Sequence, residues 1–325
     1  RTPYRLLPGE LILAANPDDI PAVFANDSLF VDAEAGSEEW HDEEEIVAVE
    51  INGQARAYPI RLLSLHEIVN DTVGGQPIAV TWCPLCYSAL VFSRVVEGQE
   101  LTFGVSGYLF KNNLVMFDHQ TNSLWSQLLF QSIKGGYNGQ PLQVLHGVHT
   151  TWGAWKDLYP ETTVLSARQM GRRDEIFDPY ALYYHSGATG IGGENPDPRL
   201  DGKTLIIGLT FGGESIAYPF DLIREANVIN AILSEAPFLL VYNPELNSVT
   251  AFDRATQSGV LTFQQSPTSS MLIDMETSST WDPQLGQAID GPLAGEQLTR
   301  LTAPLAFWFA WADLHPETVL VLDLP

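Results

Sequence analysis

Residues 46–59 read Ile46-Val47-Ala48-Val49-Glu50-Ile51, then Asn52-Gly53, then Gln54-Ala55-Arg56-Ala57-Tyr58-Pro59. Two strand-favouring runs on either side of an Asn-Gly pair predict a hairpin with a type I′ turn, because both central positions of that turn need positive φ. From Ile60 to Val69 the apolar side chains fall at helical spacing, and Asn70-Asp71 with Gly74-Gly75 is expected to stop that helix. Further on, Ile78–Trp82, Ala89–Val95, Leu101–Val105 and Leu114–Phe117 are β-branched or aromatic-rich runs separated by turn residues, which predicts strands. A short amphipathic helix, Trp152–Leu158, and a last strand close the unit. The expected class is α+β, predominantly antiparallel β, with one or two helices packed on each β-rich unit.

The same signals return later in the chain. Ala57-Tyr58-Pro59 recurs as Ala217-Tyr218-Pro219, Phe92-Ser93-Arg94 as Phe252-Asp253-Arg254, and Leu101-Thr102-Phe103 as Leu261-Thr262-Phe263, all at an offset of 160. Beyond these the offset settles at 156, pairing Asp118 with Asp274, Ser123-x-Trp125 with Ser279-x-Trp281, and Trp155 with Trp311. Order kept over such a length predicts a tandem duplication of one β-rich unit. The expected organisation is an acidic arm over 1–39, a first repeat over 40–168, a linker over 169–199 rich in Gly, Pro, Asp and Tyr, and a second repeat over 200–325.

Composition bounds the partners. The chain of 325 residues carries 40 acidic against 16 basic side chains, a formal charge of −24. Tracking a nucleic-acid backbone or an anionic membrane requires clustered Lys and Arg, and Lys111, Lys134, Lys156 and Lys203 are scattered. No apolar run approaches the ~20 residues of a transmembrane helix. No basic-plus-apolar signal segment opens the sequence, so either the protein is cytosolic or Arg1 follows a removed leader.

Positions that only build a core should stay apolar in both repeats, whereas chemistry built into one need not survive in the other. His66 pairs with Ala226, Cys83 with Asn243, Cys86 with Leu246, Met116 with Leu272 and His119 with Met275. The soft or nitrogen ligand candidates thus gather in the first repeat, while Pro84 is matched by Pro244. Cys83-Pro84-Leu85-Cys86 holds the only two cysteines, in a turn between predicted strands. Such a pair can clamp a metal ion or close a small disulfide. A thioredoxin-like reading needs the pair to open a helix, yet Tyr87 to Phe92 reads as strand. An imidazole beside thiolates suits copper, with zinc second. Met116 reads as core, and His119 as exposed beside the Gln120-Thr121-Asn122 turn. If His66 and Cys83 share an ion, bond lengths of about 2.0–2.3 Å limit their separation to roughly 4 Å. His146-x-x-His149 reads as an exposed loop. The glycines of Gly187–Gly193 follow no strand and open no helix, so no nucleotide or flavin site is expected. Phe103-Gly104-Val105-Ser106-Gly107 reads as a tight turn.

Leu65-His66-Glu67-Ile68-Val69-Asn70-Asp71, Thr81-Trp82-Cys83-Pro84-Leu85-Cys86, Phe103-Gly104-Val105-Ser106-Gly107, Asn113-Leu114-Val115-Met116-Phe117-Asp118 and Ser123-Leu124-Trp125-Ser126-Gln127 together resemble a widespread microbial domain-of-unknown-function family, family 3179. The likeness runs from Asp19-Ile20-Pro21 to Phe307-Trp308-Phe309-Ala310-Trp311. It implies export, an extracellular or periplasmic location, and Arg1 as a mature terminus, but brings no activity. It gives weight to His66 and Cys83 over Cys86 and over His119, whose place is usually Arg. The expectation is therefore an exported metal-binding protein holding copper with donors drawn from His66, Cys83, Cys86, Met116 and His119, for electron transfer, oxidation or metal handling. The alternative is a non-catalytic extracellular binding or assembly protein, with a protein partner or self-assembly and a structural Cys83–Cys86 disulfide.

Overall fold

The computed structural model describes residues 3–172, 177–191 and 197–324. Parts of the expected linker, and Gly192 and Gly193 of the glycine run, lie outside the described residues. The chain divides into two compact units, Arg1–Lys203 with Ala306–Leu314, and Thr204–Leu305 with His315–Pro325. Both are mostly β with few helices and mostly antiparallel sheets, the α+β class.

In the first unit the acidic arm is built into the fold: β1 (Leu11–Leu13), β2 (Val23–Phe24) and β3 (Phe30–Asp32) each pair with later strands, and α1 (Ala33–Ser37) follows. The hairpin expected from Asn52-Gly53 forms β4 (Glu45–Ile51) and β5 (Gln54–Pro59), with Ile51 opposite Gln54. Asn52 has φ 52° and Gly53 φ 82°, the two positive values the type I′ turn requires.

The helix α2 (Ile60–His66) is three residues shorter than its apolar periodicity predicts. Glu67 takes a left-handed backbone, φ 54°, and turns the chain into β6 (Ile68–Val73), so Val69, Asn70 and Asp71 are strand. β-Branched Ile68 and Val69 suit either period, which is why the boundary could not be placed from spacing. Gly74-Gly75 then makes the turn into β7 (Gln76–Cys83), and β8 (Ser88–Ser93) returns along it.

A small ribbon, β9 (Val95–Val96) with β10 (Gln99–Glu100), leads to β11 (Phe103–Phe110) and β12 (Asn113–Asp118). The Phe103–Gly107 segment is therefore strand rather than turn, carrying a bulge between Val105 and Leu109. At Gly107, φ 75°, a Cβ would lie 2.1 Å from Ala15 O, so protein backbone fills the approach that glycine permits there. β13 (Leu124–Ser126) and β14 (Gln131–Lys134) complete that sheet. β15 (Val144–Leu145) pairs with β8, and β16 (Val148–Thr151) with β4. The helix α3 (Trp152–Leu158) has the predicted bounds, capped by Thr151 accepting from Ala154 N–H. β17 (Thr163–Leu165) and α4 (Ala181–Tyr184) follow. The core is aromatic-rich, with Trp82, Trp125, Trp152, Trp155, Tyr58 and Phe92 fully buried.

The second unit opens with β18 (Leu205–Phe211) and β19 (Glu214–Pro219), α5 (Phe220–Ala226), then β20 (Val228–Leu233), β21 (Ala236–Asn243) and β22 (Ser248–Asp253). The corner after α5 is again left-handed, at Asn227 with φ 63°. One face of these strands packs Ile207, Leu209, Tyr218, Ile223, Phe238 and Leu240. A second cluster gathers Phe252, Phe263, Leu272 and Trp281. Among the described residues no helix is long and apolar enough to cross a membrane.

Candidate functional site

Two hairpin turns and the corner after α2 meet around the cysteine pair. β7 ends at Cys83, Cys86 N–H donates to Cys83 O at 3.2 Å, and Tyr87 turns left-handed, φ 54°, to start β8. The two-residue turn between β11 and β12, Lys111-Asn112, has φ of 48° and 63° and presents the Asn112 carbonyl to the thiols. Cys86 Sγ donates to Asn112 O at 3.0 Å, and Cys83 Sγ lies 3.9 Å from the same oxygen. Both thiols are free and buried. Asn113 Nδ2 lies 3.7 Å from Cys86 Sγ and donates to Gln127 Oε1 at 3.0 Å, and Gln127 is anchored on Ser88 and Thr81. Burial pushes the Cys86 thiol well above its ordinary range, and the neighbouring Cys83 and then Glu67 add to that.

Glu67 is a buried acid. Its backbone is fixed by Glu67 N–H to Leu63 O at 2.6 Å and by Trp82 N–H to Glu67 O at 2.8 Å, which sets it beside the end of β7. Burial alone raises its pKa to about 8, so the acid stays protonated at neutral pH. A left-handed glutamate is uncommon and costs about 1–2 kcal/mol relative to the right-handed region.

The stretch read from composition as a linker covers the turn. Tyr183, on α4, donates to Leu85 O at 2.9 Å and accepts from Gly190 N–H at 2.9 Å. Ile191 N–H donates to Asn112 Oδ1 at 2.9 Å. The Lys203 ammonium caps the Tyr183 carbonyl and lies 3.6 Å above the Tyr183 ring. Burial, and the neighbouring thiols after it, push the Tyr183 phenol up to about 12. Tyr180 and Tyr184 are shifted upward too, chiefly by burial, with Glu67 and Asp178 the next contributors respectively.

The histidines and the methionine do not complete this set. His66 Nδ1 lies 2.7 Å from Pro21 O and therefore carries the proton it donates there, while Arg172 Nη2 faces Nε2 at 3.3 Å. Burial, partly offset by the Pro21 bond and reinforced by the Arg172 charge, holds the ring neutral. Met116 is fully buried in the β11–β12–β13 sheet, opposite Val105 and Trp125. His119 sits just past β12, its Nδ1 2.9 Å from Thr102 O and its ring between Phe24 and Phe117. Among the described residues no three His, Cys, Asp or Glu side chains converge as a metal-binding group. What converges is a dithiol with a shared carbonyl acceptor and an uncharged acid beside it.

Sequence reasoning missed Glu67, Asn112 and the tyrosines of 180–184. A signal for the first existed: the place matched to Glu67 is Asn227, and Asn is a residue that tolerates left-handed backbone. The others are brought in from distant sequence.

The chain belongs to the family described as "Protein of unknown function (DUF3179)", whose sequence profile matches residues 17–318. No curated protein and no solved structure matches it.

Proposed function

We propose that, in this member of the DUF3179 family, Cys83 and Cys86 bind one copper(I) ion as a pair of thiolates, and that the protein handles copper outside the cytoplasm. The carrying observation is that both thiols are free, buried and directed at one carbonyl oxygen, Asn112 O. Soft thiolates favour copper(I), and a two-donor set suits it better than zinc, whose structural sites use four ligands. The charge balance points the same way. Two buried thiolates alone are strongly disfavoured, as the upward shift of Cys86 expresses, and a bound cation offsets that penalty. Glu67, kept protonated by its burial, adds no third negative charge. Tyr183 and the Asn112 turn exclude water from the sulfurs, and His66 holds Pro21 and Arg172 in place instead of serving as a ligand.

The test is metal analysis of the full chain after anaerobic exposure to copper(I) and zinc(II) in competition, followed by desalting, for wild type and Cys83→Ser. One equivalent of copper in wild type and none in the variant is expected. Equal copper in both, or retention of zinc instead, overturns the reading. A thiol titration on the purified chain separates the alternative: a closed Cys83–Cys86 disulfide that resists mild reduction leaves no dithiol to bind metal.

A further inference from the structure

The sequence places His149 in an exposed loop, whereas the structure puts it on β16 opposite Val47 with its side chain 12 % exposed. Among the described residues neither ring nitrogen has a hydrogen-bond partner, although both atoms are buried. Leaving a buried polar group unpaired is costly, so such a group in a folded chain asks for a reason. The ring stands edge-on to Trp82 at 5.6 Å and packs against Tyr87 at 5.5 Å, which fixes its plane. Its Nε2 lies 3.9 Å from Glu45 Oε1. That same oxygen accepts the Tyr87 hydroxyl at 2.6 Å.

A nitrogen-to-oxygen separation of 3.9 Å is too long for a hydrogen bond but suits two donors of one ion. With bonds of about 2.1 Å, two ligands at a tetrahedral angle stand roughly 3.4 Å apart, so a shift of about half an ångström closes the site. Glu45 can make that shift, because its side chain is 48 % exposed and it also gives the site its opening to solvent. Burial holds the imidazole neutral, the form that ligates. Nitrogen and carboxylate donors are harder than the thiol pair and select a divalent ion.

The trio is confined to the first unit. At the matching offsets the second unit has Leu205, Asn247 and Leu305 in place of Glu45, Tyr87 and His149. Tyr87 holds φ 54° where Asn247 takes φ 45°, so a bulky ring occupies a left-handed position that elsewhere carries a residue suited to it.

We propose that His149 and Glu45, the latter oriented by the Tyr87 hydroxyl it accepts from, form a second metal site, separate from the dithiol, that takes one divalent first-row transition ion with solvent completing its shell. The probe is cobalt(II), whose visible d–d absorption reports coordination, titrated into the full-length Cys83→Ser/Cys86→Ser chain so that sulfur cannot compete. One equivalent should bind with a band typical of nitrogen and oxygen donors, and His149→Gln and Glu45→Gln should each weaken it at least tenfold. Near-UV circular dichroism checks the fold. Should His149→Gln disturb the packing, Glu45→Gln at its half-exposed position decides alone. No cobalt bound by the double-serine chain, or binding unchanged in Glu45→Gln, overturns the proposal.

Discussion

From Glu45 to Lys134 and from Leu205 to Asp290 the chain repeats one set of supports but differs around the cysteine turn. Asp118 accepts from Trp125 Nε1 at 2.9 Å and from Thr121 and Ser123, and Asp274 accepts from Trp281 Nε1 at 2.9 Å and from Thr277 and Ser279. Arg94 donates to Ile78 O and Leu101 O at 2.9 and 2.7 Å, as Arg254 does to Phe238 O and Leu261 O at 3.0 and 2.7 Å. Asn70 exchanges a pair of bonds with the backbone of Phe103, as Asn230 does with Phe263. Around the turn after β21 Asn243 Oδ1 accepts from Glu245 N–H and Leu246 N–H, its Nδ2 reaches Gln284 Oε1 at 3.5 Å, and the left-handed corners are Asn227 and Asn247. In the first unit the places of Asn243, Leu246, Asn227 and Asn247 are taken by Cys83, Cys86, Glu67 and Tyr87. Where the second unit has residues suited to the backbone, the first has residues that strain it or bury an acid, and the proposed site rests on that contrast.

The largest expected effect comes from erasing that difference. Cys83→Asn with Cys86→Leu installs the second unit's residues, and should abolish copper(I) retention while leaving the far-UV spectrum unchanged. A double variant that still holds an equivalent of copper breaks the contrast.

A pH series sharpens it next. In the folded chain Glu67 keeps its proton to about pH 8, whereas unfolded it titrates near the ordinary 4.5. Between those values unfolding releases a proton, so metal-free stability falls as pH rises through the window. Glu67→Gln lacks this loss. Its advantage over wild type should be small below pH 4.5 and grow to about 4 kcal/mol by pH 8, a figure obtained from the shift at 1.36 kcal/mol per unit. Denaturant melts at pH 5 and pH 8 measure it, and a gap that shrinks with rising pH contradicts the burial of an uncharged acid.

The shared supports should respond alike. Asp118→Ala and Asp274→Ala each leave a buried indole N–H and neighbouring backbone donors without their acceptor, and each should cost its own unit about 3 kcal/mol. Unequal costs in urea would show that the matching geometry hides different packing.

The smallest effect concerns backbone alone. Glu67→Asn should be about 1 kcal/mol more stable than Glu67→Gln, since Asn is the side chain more tolerant of left-handed φ. Equal stability would mean that the strain at that corner is relieved by its surroundings.

Much of this contrast was open to reading along the chain. Asn52-Gly53 specified its own turn, Trp152–Leu158 its own helix, and the Cys83–Cys86 segment its place between strands, because each signal is carried by adjacent residues. The end of α2 was not legible from Glu67 itself, an ordinary helix former, and its one signal stood at the matched Asn227 of the second unit. Met116 in the core and His119 at an exposed turn lie where strand alternation put them.

The sequence by itself determined the β-rich class, the turn chemistry, the family and the position of both thiols, all matters of local period and residue type. Only the tertiary structure decided what faces them. A period of two or of 3.6 says which side of an element is apolar, not which element lies across from it. Thus the Asn112 carbonyl reaches Cys86 from another hairpin, Tyr183 reaches Leu85 across 98 residues, and His66 is met by Pro21 and Arg172. His149 is brought to Glu45 by the pairing of β16 with β4. These meetings are set by packing and strand pairing between distant segments, where no residue carries the address of its partner.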